Sequence, residues 1–256
     1  MFDKINKGQW WDFGWQLVEG CTPISAGCEQ CWSLAKEKRF RKETGIVCHS
    51  ERLERPLKRR KPASYAIWND LFHEEVPFDF IRSVFETVAN AGQHAYQFLT
   101  KRADRMKEFF QSCEDWDSSE WPNVHIGVTC ENQEMADKRI PILLQIPVAV
   151  RFISIEPCLG NIDIEKYLDL SSAIQQKNTQ QQRSISWCVV GSESGTKRRP
   201  CKIEWIRSIV EQCKAGDVPV FVKQIELLRP IPWSSKVSHN MSEWPEDLRL
   251  REYPKC

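Results

Sequence analysis

V-H-I-G-V-T-C-E-N-Q-E-M-A-D-K-R-I-P-I-L-L-Q-I-P-V-A-V-R-F-I-S-I, residues 124–155, spells one complete unit of the fold. Val124 to Thr129 is a short apolar run that reads as a buried strand. Asn132 to Gln145 carries apolar residues at helical spacing, and Val150 to Ile155 is a second apolar strand. Two strands joined through a helix run parallel, with the helix lying over the sheet. The same rhythm continues on both sides. Tyr65–Trp68, Ala95–Leu99, Ser186–Val190 and Val218–Val222 read as strands, and Phe78–Ala91, Arg102–Ser112 and Ile203–Ala215 as helices. A further strand near Trp10–Trp15 brings the count to six to seven. The pattern predicts an α/β fold, a full or partial TIM-type (β/α) barrel, whose usual size of about 250 residues suits this chain of 256.

Residues 1–256 read as a single barrel domain with a cysteine loop at 20–33, a barrel core at 62–225 and a C-terminal tail at 226–256. Pro230, Pro232, Pro245 and Pro254 suggest that the tail wraps over the barrel. Gln176–Gln182, inside the polar stretch Ser171–Arg183, reads as a surface insertion. Lys and Arg number 36 against 35 Asp and Glu, for a net charge of +1. No global field therefore draws the protein to nucleic acid, and no apolar run is long enough for a membrane span. Met1-Phe2-Asp3-Lys4 opens no signal region, so the chain reads as cytoplasmic and its 11 cysteines as thiols or metal ligands.

Three of those cysteines share one loop. Gly20–Ser33 reads G-C-T-P-I-S-A-G-C-E-Q-C-W-S, placing Cys21, Cys28 and Cys31 in a C-x6-C-x2-C arrangement among residues that permit tight bends. A helical pattern starts at Cys31 and runs to about Thr44, ahead of Gly45. Structural zinc wants four ligands, and an ordinary [4Fe–4S] cluster wants four cysteines. A cluster on three leaves one iron open, the arrangement used when S-adenosylmethionine (SAM) binds it for radical chemistry. Three buried thiols would be the bland alternative. A zinc-binding interaction module is another, with Cys48 or His49 as the fourth ligand and the basic run Arg52–Lys61 meeting nucleic acid. Balanced charge favours reading that run as a solvated face leading into the next strand.

Polar residues follow nearly every strand: Asp70, Lys101 and Arg102, Glu131 and Asn132, Glu156, Ser192 and Glu193, then Lys223. In a parallel α/β sheet all of these lie at one face, where ligands bind. Lys101, Glu156 and Lys223 are the candidate catalytic residues; the lysines suit a carboxylate or phosphate. Asp70, Glu131, Asn132, Ser192 and Glu193 are candidates for cofactor binding, their carboxylates suited to amino or ribose hydroxyl groups. Each has a plainer reading. Asp70 and Asn132 can cap helices, Lys101 and Arg102 can start one in solvent, and Glu193 can pair with Lys197, Arg198 or Arg199.

The blocks N-D-L-F-H-E-E-V-P (69–77), F-L-T-K-R-A-D-R-M (98–106), G-V-T-C-E-N-Q (127–133) and I-S-I-E-P-C-L-G (153–160) join the cysteine signature in a recognisable order. V-V-G-S-E-S-G (189–195), V-P-V-F-V-K-Q (218–224) and W-P-E-D-L-R-L-R-E-Y-P (244–254) complete it. The chain resembles a bacterial and phage family of unknown function with a three-cysteine motif, similar to radical SAM proteins. Its genes often sit beside a three-Cys-motif partner protein. The resemblance implies a [4Fe–4S] cluster on Cys21, Cys28 and Cys31 with SAM on the open iron, and a 5′-deoxyadenosyl radical that takes hydrogen from an unknown substrate. Trp15-Gln16-Leu17, Trp32-Ser33, Ile155 and Ser192 depart from the family pattern without touching the three cysteines.

Overall fold

The computed structural model of the protein describes residues 8–39, 45–113, 121–168, 184–228 and 235–254. After β1 (Phe13–Trp15), the strands β2 (Val18–Glu19) and β3 (Val47–Cys48) pair as a small antiparallel ribbon. Then follow β4 (Ser64–Ile67), β5 (Ala95–Thr100), β6 (Val124–Thr129), β7 (Val150–Ile155), β8 (Trp187–Gly191), β9 (Val220–Leu228) and β10 (Ser235–Ser238). All but the ribbon form one sheet in chain order, β1-β4-β5-β6-β7-β8-β9-β10, parallel except for β10. Helices α1 (Trp32–Arg39), α2 (Phe78–Asn90), α3 (Ala103–Gln111), α4 (Gln133–Leu143), α5 (Glu165–Leu168) and α6 (Ile203–Ala215) lie between the strands. The sheet is a strongly curled half-barrel, and β10 does not pair with β1.

Side chains alternate across each strand, so every second residue meets the helices and the others meet the concave side. Val124, Ile126 and Val128 of β6 join the large outer core, together with Ile153 and Ile155 of β7 and Cys188 and Val190 of β8. The concave side holds a separate aromatic cluster of Trp10, Phe152, Trp187, Val189 and Phe221, with Trp11 and Leu99 packed on it. Trp10 stands edge-on to Phe152 and Trp187, with ring centres at 5.7 and 5.4 Å. Gly127 also faces inward, where a Cβ would stand 2.6 Å from the Phe152 ring. Such filling is the state of a barrel interior near the N-terminal ends of its strands.

His125 sits in this layer, 4% exposed, with neither ring nitrogen hydrogen-bonded among the described residues. Burial pushes its pKa down to about 4, so the imidazole is neutral at neutral pH. Its pKa is lower folded than unfolded. The associated stability is therefore complete above about pH 6.5 and is lost as pH falls toward 4, a loss of about 3 kcal/mol. Urea unfolding at pH 7 and 4.5 should show this loss, and His125→Phe should flatten it.

Most elements stand where the sequence places them. The strand count differs, because β9 runs on past Val222 and turns back into β10, giving eight strands rather than six to seven. The tail does more than wrap. Leu250 accepts from Val222 N, and Glu252 N donates to Val220 O, so residues 250–252 zip onto the half of β9 that β10 leaves free. Tyr253 then stacks on Trp187, with ring centres at 5.8 Å. The basic run forms turns rather than a helix, and its Arg55, Lys58, Arg60 and Lys61 are exposed, as a solvated face leading into β4 requires. Arg55 Nη1 donates to Gly14 O at 2.8 Å, Arg52 O accepts from Trp15 Nε1, and Arg59 lies over Phe13. It thus covers the outer edge of β1, an edge that would otherwise invite pairing with another chain. The expected helix end near Thr44 and the Gln176–Gln182 insertion fall outside the described residues.

Candidate functional site

The cysteine loop lies across the C-terminal ends of the strands, and four sets of contacts hold it there. At Cys21, Arg102 Nη2 donates to Thr22 Oγ1 and O at 2.7 and 3.0 Å. Arg102 is itself fixed by Asp70 Oδ2 at 2.8 Å and Glu74 Oε2 at 2.7 Å, and Thr100 Oγ1 donates to the other Asp70 oxygen at 2.7 Å. The Thr22 hydroxyl also meets His73 Nε2 at 2.9 Å. Next to Cys28, Gly27 N donates to Glu131 Oε1, whose other oxygen accepts from Arg139 Nη1 at 2.8 Å. Between Cys28 and Cys31, Glu29 accepts from Arg199 Nη1 at 3.1 Å, and Arg199 grips Glu193 through its backbone and two side-chain nitrogens. Past Cys31, Ser33 Oγ donates to Asn69 Oδ1 at 2.9 Å, and Asn69 Nδ2 donates to Val18 O.

The strand-end carboxylates therefore divide into two groups. Asp70, Glu131 and Glu193 already have arginine partners and act as clamps on the loop. The Glu193–Arg199 pair is the plain alternative that the sequence allowed, and Asn132 caps α4 by accepting from Met135 N. Burial pushes the Glu131 carboxyl up, but the Ser25 hydroxyl and the Arg139 charge outweigh it and the net shift is downward. Glu193 moves the same way, its burial outweighed by the bonds from Arg199. Arg102 is not a solvated helix start; it is 6% exposed and central to the network.

The second group faces the concavity. Lys101 and Lys223 continue the inward alternation of Leu99 and Phe221, and Glu156 follows Ser154 in the same sense. Lys223 Nζ and Glu156 Oε1 form an ion pair at 2.9 Å, and Lys223 lies over the Trp11 ring. Gly191 leaves room there, since a Cβ would meet Glu156 Oε1 at 3.2 Å. Lys101 forms no ion pair among the described residues, although its charge is felt at Glu131. Ser192 is 2% exposed, and its hydroxyl lacks a hydrogen-bond partner among the described residues. Sequence reasoning missed His239, which packs with Gly8 against the Lys223 carbonyl. Partial burial and then the Lys223 ammonium hold its imidazole below the usual histidine range. It lies beyond β10, and no local motif marks it.

Cys21, Cys28 and Cys31 are free thiols; Cys28 is buried and the other two are half-buried. Burial raises the Cys21 pKa, with Asp70 adding to the effect and Arg102 opposing it. The β2–β3 register places Cys48 opposite Val18, and the chain leaves the ribbon at Gly20, in a left-handed conformation, before it reaches Cys21. His49 is engaged by Glu51 at 2.7 Å and Glu19 at 3.6 Å. Neither joins the three thiols, among the described residues, in a group that could hold a metal ion. Among the described residues no three His, Cys, Asp or Glu side chains gather closely enough to hold a single metal ion. As ligands, three thiols with no fourth donor gathered beside them among the described residues would match a cluster with an open corner rather than a closed four-ligand zinc site.

No helix among the described residues is long and apolar enough to cross a membrane. Residues 6–240 match the model of a family described as a protein of unknown function (DUF5131). No curated protein and no solved structure matches the chain.

Proposed function

We propose, for a chain that belongs to the DUF5131 family, that its half-barrel is a partial TIM-type barrel with radical SAM-type activity. Cys21, Cys28 and Cys31 would hold a [4Fe–4S] cluster. When bound, the cluster and SAM on its open iron supply a 5′-deoxyadenosyl radical able to take hydrogen from a substrate. The observation that carries this reading is the clamped loop. Contacts from the ends of β4, β5 and β6 and from the segment after β8 converge on one short stretch bearing three thiols and no fourth ligand.

The chain's own residues would do the rest. Arg102, Glu131 and Arg199 fix the loop so that the sulfurs keep their places, as outer partners of a metal site do. Lys101 would take an anionic group of the substrate. The Glu156–Lys223 pair would hold a polar group against the concave wall and exchange a proton with it. The Trp10–Trp187 layer beneath keeps water from entering from below. Ser192, with its buried hydroxyl unsatisfied, would donate to or accept from the bound molecule. The biological setting we propose is that of a phage-associated protein acting with the three-Cys-motif partner.

The test is anaerobic reconstitution of the full chain. It should load about four irons per chain, and reduction in the presence of SAM should release 5′-deoxyadenosine. Stoichiometric zinc in place of iron, or intact SAM after reduction of a fully loaded protein, would overturn the reading.

A further inference from the structure

We propose that Trp32 and Trp68 form a stacking platform for a nucleobase at the rim of the mouth. Trp32 is 54% exposed, among the most exposed of the large apolar side chains, and it immediately follows Cys31. Its ring meets Trp68 at 5.4 Å and 73°, an edge-to-face contact. That contact uses the edge of one ring and leaves a flat face open, the surface on which a base stacks.

Three features hold the pair in place. Gly14 has no Cβ, and one there would stand 2.4 Å from the Trp68 indole, so glycine makes the seat. Asn69, next to Trp68, adopts φ 61°, a left-handed conformation uncommon outside glycine. The same Asn69 binds Ser33, next to Trp32, so one strained residue ties both indoles together. A ring merely left over at the surface needs none of this. Lys101 directly follows β5, the strand next to β4, and lacks an ion pair among the described residues, which supplies a cation at the same strand ends. A flat aromatic face and a cation that follow two neighbouring parallel strands match a base and its phosphate. The inference does not depend on a cluster, and it points to nucleotide chemistry for whatever the mouth accepts.

Binding of adenosine 5′-monophosphate, SAM and a short labelled single-stranded oligodeoxyadenylate to the full-length protein tests it, with ribose 5-phosphate as the baseless control. Native protein should bind at least one base-bearing probe and bind ribose 5-phosphate far more weakly. Trp32→Ala should weaken the base-bearing probe by about 5- to 150-fold, the range one stacked base is worth, and Trp32→Phe should restore most of it. Preference for the oligonucleotide identifies a strand as the source of the base, and parity with the monophosphate identifies a free nucleotide. Because Trp32 is exposed, the alanine variant should keep the native unfolding midpoint. Equal binding by native and Trp32→Ala protein, or no binding of any base-bearing probe, overturns the proposal. So does a Trp32→Ala variant that changes only the sedimentation behaviour, since the ring would then be covering a second copy.

Discussion

Replacing Cys28 by serine should reduce iron in the reconstituted protein from about four per chain to under about one. Cys28 lies in a 3₁₀ turn, 8% exposed, and its neighbour Gly27 donates to the fully buried Glu131. The turn cannot slide to recruit another donor, and a serine hydroxyl is a poor substitute for a thiolate on iron. Cys48→Ser is the matched control: the β2–β3 register sets Cys48 opposite Val18, so that variant should load iron like the native chain. Iron and sulfide analysis of the two variants decides the matter. Full loading in Cys28→Ser would remove the cluster from the loop, and metal loss in Cys48→Ser would restore the four-ligand zinc site.

Arg139→Met should cost about 3–5 kcal/mol of stability, the loss typical when one partner of a buried ion pair is removed. Glu131 has no solvent exposure, and its carboxylate is held by Arg139 on one oxygen and Gly27 on the other. Without the guanidinium a buried anion stands uncompensated, and Thr129 O loses a donor as well. Adding Glu131→Gln removes the charge while keeping an acceptor for Gly27, and the double variant should recover much of the loss. The pH dependence follows from the lowered Glu131 pKa. In the native protein its contribution is complete above the unfolded carboxyl value of about 4.3 and is lost as pH falls through the lower folded value. Arg139→Met should lack that acid-side loss. Urea unfolding of all three proteins at pH 7 and at about pH 3, below the unfolded carboxyl value, measures both effects, and a single variant as stable as native would show the pair is not a clamp.

The strands were legible because a buried parallel strand must be nearly all apolar, and the runs at 124–129 and 150–155 are. The inner and outer faces were less so, since both are buried and the run looks uniform. The mouth was legible as a list of polar residues after strands, and their separate duties were not. Glu131 and Glu156 look alike in sequence, each following an apolar strand. One meets Arg139, eight residues on along α4, and the other meets Lys223, 67 residues away. Arg102 read as a solvated helix start because Asp70, Glu74 and Thr22, which hold it, are 28 to 80 residues away in the chain.

By itself the sequence determined the alternation of strands and helices, the parallel sheet and the concentration of three thiols in one bending loop. Those depend on local apolar period, on β-branched runs and on glycine and proline, all properties of short stretches. Only the tertiary structure decided that the sheet stays open and ends in an antiparallel strand. It alone separated the acidic residues that clamp the loop from the one that faces the concavity. A carboxylate's role is set by which cation reaches it in low dielectric, and that is decided by residues brought together from distant parts of the chain.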